Sequence, residues 1–240
     1  MAYRSTQGIV LSRTDYREND RMLTLLSPEF GRVDALCRGC RKPKSPLMTA
    51  GELFCMGEYV LYTQGGRQIV TACSVIEAFY PLRLNYSRLS YGAMMLSAAL
   101  KSAQPGEPAA HLYILLARSL RRLAYQDVPA KQVGTAFLLH LAAIGGFKPR
   151  LNHCVRCGRR MGEGEAGSLL PQEGGICCTS CCNRDPYRHR ISAPGLQWLR
   201  QVLSQGIDRT ENAPEEAPYA LLAEYVAYHI DGQLLPVTDE

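Results

Sequence analysis

Signatures of bond-making chemistry are what this 240-residue sequence lacks. It holds no Walker loop, no G-x-S-x-G elbow and no H-E-x-x-H pair, and its five histidines are scattered. The sextet Gly162-Glu163-Gly164-Glu165-Ala166-Gly167 fits G-x-G-x-x-G. A phosphate cradle, however, needs a strand before it and a helix after it, and Glu163 and Glu165 would repel the anion. The sextet therefore reads as a flexible loop. No apolar run reaches the roughly 18–20 residues of a membrane span. Met1-Ala2-Tyr3-Arg4-Ser5 lacks the apolar core of a secretory signal, which sets a cytoplasmic expectation. These absences leave a binding protein that is not an enzyme.

Cysteine, by contrast, is plentiful, with ten residues. Cys154-Val155-Arg156-Cys157 and Cys178-Thr179-Ser180-Cys181 form C-x2-C-x20-C-x2-C, the spacing of a tetrahedral zinc site. Each short turn aims two sulfurs at one point, and the intervening loop brings the second turn opposite. Four thiolates leave no open position for water, so one structural Zn(2+) is expected, bound by Cys154, Cys157, Cys178 and Cys181. Two disulfides or four unrelated buried cysteines are the alternatives, and disulfides need an oxidising compartment. Cys177 and Cys182 flank the second pair as spares, and Gly174-Gly175 can supply the turn entering it.

The net charge of +5 is unevenly spread. Residues 32–44 carry Arg32, Arg38, Arg41, Lys42 and Lys44 against Asp34 alone, and residues 148–160 carry Lys148, Arg150, Arg156, Arg159 and Arg160 with no acid. From Asp208 to Glu240 there are eight acids and only Arg209. A basic front with an acidic tail points to a polyanionic partner such as nucleic acid.

The first eighty residues read as five short strands: Gln7–Leu11, Met22–Leu26, Arg32–Cys37, Glu52–Tyr62 and Gln68–Val75, with Gln64-Gly65-Gly66-Arg67 as the last hairpin turn. The polar run Arg13 to Asp20 separates the first two. An OB-fold, a five-stranded Greek-key barrel, is the leading candidate, with a small SH3-like barrel as the alternative. Helical periodicity then covers Tyr86–Ala103, His111–Tyr125, Ala130–Ile144, Pro194–Leu203 and Pro218–Ile230. The fold class is thus α+β: residues 1–80 an OB-fold, residues 81–240 a helical domain with a zinc insert at about 148–186.

Three further features were weighed. Cys37-Arg38-Gly39-Cys40 is a C-x-x-C, but the prolines after it argue for a loop, so packing outweighs redox chemistry. Cys55 and Cys73 lack the spacing of a second metal knuckle. The cations Arg38, Arg41, Lys42 and Lys44 follow a strand of the expected barrel, where loops hold nucleic acid, and Tyr16, Phe30 and Tyr62 are stacking or core candidates.

Asp15-Tyr16-Arg17-Glu18-Asn19-Asp20-Arg21, Phe30-Gly31-Arg32-Val33 and Arg38-Gly39-Cys40-Arg41-Lys42-Pro43-Lys44-Ser45 together resemble the N-terminal part of the bacterial RecO recombination mediators. Gly145-Gly146-Phe147-Lys148-Pro149, the knuckle Cys154 to Gly158, and Gly174-Gly175-Ile176 continue the resemblance. It implies an OB-fold, a helical domain and a four-cysteine zinc element. It also implies binding to single- and double-stranded DNA, annealing of complementary strands, and work with RecR. Such proteins help RecA displace single-strand-binding protein during repair, in the cytoplasm at the nucleoid and at no membrane. A zinc-containing RNA-binding or transcription-associated protein, and a scaffold that touches no DNA, are the other classes.

Overall fold

Five strands bury one face each by closing on themselves. They are β1 (Tyr3–Tyr16), β2 (Asp20–Ser27), β3 (Gly31–Cys37), β4 (Met56–Gln64) and β5 (Arg67–Glu77). The strand order β1-β2-β3-β5-β4 forms a closed barrel. All ladders are antiparallel except β3 with β5, which pair in parallel over Ala35–Cys37 and Gln68–Val70. That crossover makes the barrel a five-stranded Greek key, the OB arrangement. Its interior is filled by Val10, Leu23, Leu25, Val33, Ala35, Tyr59, Leu61 and Val70 with Cys37, Cys40 and Cys55. In β3, Val33, Ala35 and Cys37 alternate inward as a period of two requires.

The computed structural model describes residues 3–182, 190–208, 213–214, 218–230 and 232–237, in two compact units, 1–124 and 125–240. Strand limits differ from the sequence reading most at β1, which starts at Tyr3 and not Gln7 and runs to Tyr16, and at the start of β4; the other ends that differ do so by one or two residues. The run from Arg13 continues β1, because Arg13 to Tyr16 pair with Leu23 to Asp20 in a hairpin arm. These residues are exposed or half-buried, so no apolar alternation marked them. Glu52–Cys55 is a turn, not strand: Phe54 has φ +69°, and its N–H donates to Val10 O while Cys55 O accepts from Val10 N–H. The strand begins at Met56.

The first unit also holds α1 (Tyr86–Ser102) and α2 (Ala110–Tyr125) up to Ala124. Asn85 caps α1 by accepting from Arg88 N–H at 2.9 Å, worth about 1 kcal/mol. The barrel meets the α1–α2 connection at Gly31, whose φ is +61° and which bridges Pro105. Arg32 N–H donates to Gln104 O, and Gly106 N–H to Phe30 O.

In the second unit, α3 (Ala130–Ile144) packs against α5 (Ala193–Gln205) and α6 (Tyr219–His229). Ser192 caps α5 by accepting from Gly195 N–H, with Pro194 in the first turn. Short strands β6 (Gly167–Leu170), β7 (Gly175–Cys178) and β8 (Arg190–Ile191) form a small sheet in the order β7-β6-β8, followed after β7 by one helical turn, α4 (Thr179–Cys182). Gly167, the last residue of the rejected phosphate motif, opens β6. Residues 183–186 of the expected zinc insert lie outside the described residues. So do Arg209 and six of the acids from Asp208 onward, Glu211, Glu215, Glu216, Asp231, Asp239 and Glu240. No helix among the described residues is long and apolar enough to cross a membrane.

Gly31 gives a direct test of the docking. A Cβ there would lie 2.2 Å from Gln104 O and 2.4 Å from Glu107 O, both backbone atoms. Gly31→Ala combines a left-handed φ with that overlap and should cost about 3 kcal/mol. A lower urea midpoint at unchanged m-value would show it; an unchanged midpoint would contradict it.

Candidate metal centre and nucleic-acid interface

Backbone bonding shapes the first knuckle before any metal arrives. Cys154 N–H donates to Arg159 O, Met161 N–H to Asn152 O, and His153 bridges Arg160, so residues 152–161 form a tight hairpin. Gly158 N–H donates to Cys154 O at 2.9 Å, and its φ of +72° allows the chain to reverse around the sulfurs. Val155 N–H donates to Ile176 O in β7, which carries the knuckle to the second cysteine pair.

The result brings together the four cysteines expected from spacing. The sulfurs of Cys154, Cys157, Cys178 and Cys181 all lie within 4.8 Å of one another. Cys157 Sγ and Cys178 Sγ are 3.9 Å apart. Four sulfurs at about 2.3 Å from a shared ion would be separated by roughly 3.8 Å, so this donor set fits a tetrahedral metal. Cys178 N–H also points at Cys154 Sγ, at 3.4 Å.

Electrostatics favour thiolates here. Burial opposes ionisation of Cys154, but the N–H groups of Cys157, Cys178 and Arg156 outweigh it and hold its pKa below that of an ordinary thiol. Burial likewise opposes ionisation of Cys178, yet the Arg159 guanidinium and the neighbouring Cys181 bring it down to about 6. Cys181, hydrogen-bonded to the sulfurs of Cys178 and Cys157, is pushed up to about 12. Backbone N–H donors thus support the ionised forms of Cys154 and Cys178, while Cys181 keeps its proton beside them. A bound dication would displace the remaining protons. Cys177 and Cys182 stand apart from this group, buried and joined to each other as a disulfide with Cα atoms 6.2 Å apart.

Around the centre the cations fall into two sets. Arg156 pairs with Glu173 at 2.8 Å, and Arg159 with Glu165 at 2.7 Å. Arg160 has no carboxylate partner among the described residues.

The basic residues of the barrel also divide. Arg38, Arg41, Lys42 and Lys44 share the exposed loop after β3. That loop is held by Gly39 N–H donating to Asp20 Oδ1 at 2.8 Å, Arg41 N–H donating to Asn19 O, and burial of Cys40. Arg41 Nη2 approaches Asp15 Oδ2 at 3.4 Å. Arg32 sits at the opposite end of β3, roughly 20 Å along the strand by its rise per residue. Cys37 and Cys40 are fully buried in the barrel core, and burial, with Cys40 adjacent, pushes the Cys37 pKa up. Neither thiol is placed for redox chemistry.

Two cations that sequence proximity did not group lie with Arg38. Tyr16, Arg17, Asp20, Leu36, Arg38, Gln64, Arg67 and Ile69 line a cleft of about 410 Å³ on the barrel surface. Leu36 and Ile69, adjacent across the β3–β5 ladder, lie in it, and Arg17 stands over the Tyr16 ring at 5.3 Å. Arg17, Arg38 and Arg67 have no carboxylate partner among the described residues. The turn Gln64-Gly65-Gly66-Arg67 was the available signal, since OB-folds bind ligands through loops joining strands 1–2 and 4–5. Tyr62 instead packs on Tyr3, with ring centroids 4.9 Å apart, and Phe30 lies under Arg4 and against the core.

The metal set makes a discriminating prediction. Purified protein should hold about one metal ion per chain, and Cys178→Ser or Cys181→Ser should release it, whereas Cys182→Ser should retain it. Elemental analysis against protein concentration measures this; loss in Cys182→Ser with retention in Cys178→Ser would assign the ligands differently.

Comparison with known proteins agrees with this architecture. Residues 1–79 match the family model "Recombination protein O N terminal" and residues 83–235 the model "Recombination protein O C terminal". The DNA repair protein RecO of Acetivibrio thermocellus is 31% identical over 203 residues, covering 85% of this chain and 80% of that protein. RecO of Frankia casuarinae is 32% identical over 234 residues, covering 94% and 93%. RecO of Alkaliphilus metalliredigens is 27% identical over 231 residues, with the same coverage. A five-stranded barrel, a helical part and a four-thiol knuckle, matched along nearly the whole chain, place this protein in the RecO family of DNA repair proteins.

Proposed function

We propose that this protein is a recombination mediator that binds single- and double-stranded DNA and anneals complementary strands. In this reading it acts with RecR, helping RecA load where single-strand-binding protein covers DNA, and it works in the cytoplasm at the nucleoid. The observation that carries the DNA reading is the barrel cleft, where Arg17, Arg38 and Arg67 surround Tyr16 with Asp20 as the lone acid. Three arginines against one carboxylate, itself held by Gly39 N–H, leave the cleft an excess of positive charge among the described residues. Phosphates take such cations as partners while bases stack on an aromatic ring, without regard to sequence. Lys42 and Lys44, exposed on the neighbouring loop, extend the cationic surface, and Arg41 adds to it beside Asp15. Arg32, which the sequence reading grouped with them, would act apart from this surface.

The work proposed is electrostatic. Strands held against arginines repel one another less, which lowers the barrier to annealing, and each neutralised phosphate releases counterions. The chemistry asks nothing of a catalytic side chain, and the site has no nucleophile–base pair. The metal is proposed to be one structural zinc, since four thiolates complete a tetrahedral shell and leave no position for substrate. Its role is to fix the 152–161 hairpin against β7.

Arg38→Glu combined with Arg67→Glu tests the reading. Binding to unrelated single strands should weaken by a similar factor for each, and the salt slope should flatten by about 1.4 units for two lost contacts. Annealing should fall in parallel, while metal content and the thermal midpoint stay unchanged. An unchanged slope with unchanged annealing would remove the barrel cleft from DNA binding.

A further inference from the structure

The cations of the second unit are distributed in a way that the barrel site does not explain. Five lie between Lys148 and Arg160, and two of them, Arg156 and Arg159, are neutralised by Glu173 and Glu165. The other three, Lys148, Arg150 and Arg160, have no carboxylate partner among the described residues. Those three, with Arg200, line two adjoining grooves that share Asn152, His153 and Arg200. The grooves hold about 400 and 600 Å³. Among the described residues, Glu163 is the one acid lining them.

Their walls are well fixed. On one side runs the knuckle hairpin, joined through His153 and Arg160. Arg150 is tied to the sheet, its N–H donating to Gly174 O, its C=O accepting from Ile176 N–H, and its guanidinium donating to Glu173 O at 2.8 Å. On the other side is α5, whose Arg200 guanidinium donates to Leu151 O at 2.7 Å, Met161 O at 3.2 Å and Gly162 O at 3.4 Å. Three carbonyls satisfy hydrogen bonds but carry no net charge, and Glu165, the carboxylate that feels Arg200, is already ion-paired with Arg159, so Arg200 adds positive charge to the groove. Four positive groups and one negative, held in place by a hairpin that the metal ligands organise, form a site for a polyanion.

We infer that this groove, on the 125–240 unit, is a second phosphodiester site, which holds one nucleic-acid strand while the barrel cleft holds another. The inference rests on the DNA reading proposed above and extends it. Annealing needs two strands on one protein, and a single cleft cannot neutralise both at once. A nucleic-acid backbone fits better than an acidic protein segment. The exposed cations Lys148, Arg150 and Arg160 are spread along an open groove and not gathered around one pocket, as repeating phosphates require. Ordered guanidinium groups recognise phosphate oxygens through paired donors.

Lys148→Glu with Arg160→Glu, in the metal-loaded full chain, is the test. Both side chains are exposed and have no carboxylate partner among the described residues, so folding and metal content should not change; Arg200 is left alone because it binds three carbonyls. Protein is first loaded with one equivalent of a fluorescent single strand. Capture of a second, non-complementary labelled strand is then measured against salt. The variant should bind the first strand as the unmodified protein does, capture the second about tenfold more weakly, and show a second-strand salt slope flatter by about 1.4 units. Unchanged capture of the second strand, or no second-strand capture by the unmodified protein, would overturn the inference. So would equal weakening of both strands, which would mean one continuous site. Displacement of the second strand by poly-L-glutamate at matched charge from the unmodified protein but not from the variant would reassign the groove to an acidic protein segment. Failure of the barrel reading looks different: Arg38→Glu with Arg67→Glu would then leave first-strand binding intact.

Discussion

The proposed DNA-binding face depends on a short seam. β3 and β5 pair in parallel over three residues each, and that contact alone closes the barrel between them. Because the register is offset, the last three residues of β3 lie beside the start of β5. Arg38 and the turn residue Arg67, far apart in sequence, come to line one cleft, with Leu36 and Ile69 between them. The same closure turns Cys37 and Val70 inward and fixes the loop that carries Arg41, Lys42 and Lys44. Antiparallel hairpins could have formed without it, but they would have left two edges and no shared cleft.

In the 125–240 unit, the comparable constraint is sulfur convergence. Ten described residues, 152–161, are held in a hairpin by backbone bonds, and Val155 ties that hairpin to Ile176. Two pairs of cysteines therefore arrive at one point with N–H donors already directed at Cys154. A metal at that point would add its binding energy to the folding of a segment whose strands are only four, four and two residues long. Hairpin and α5 then share Arg200 as a common anchor.

How far this could be read from the sequence follows from the range of each signal. The C-x2-C pairs encode geometry within four residues, so the ligand set was legible, and so was the core of every barrel strand and of the longer helices. Third helix limits matched at both ends, because Pro129 and Gly145 bracket an unbroken apolar pattern. Strands of two to four residues in the small sheet beside the four cysteines are too short to show alternation. Arg32 was grouped with Arg38 because they are six residues apart, yet an extended strand turns six residues into the length of a barrel wall. Conversely, Arg17 and Arg67 were missed because the barrel, not the chain, makes them neighbours. Neutralisation of Arg156 by Glu173, seventeen residues away, was equally invisible in a count of charges.

The central claim is that nucleic acid lies across the barrel face at the β3–β5 seam. Hydrogen–deuterium exchange of the metal-loaded full chain, with and without a saturating single-stranded oligonucleotide, addresses it most directly. The account predicts slowed exchange in residues 16–20, 38–44 and 64–67, with the buried ladder of β1 and β2 unaffected. Exchange in those three segments that is identical with and without the oligonucleotide, while the strand is demonstrably bound, would contradict it.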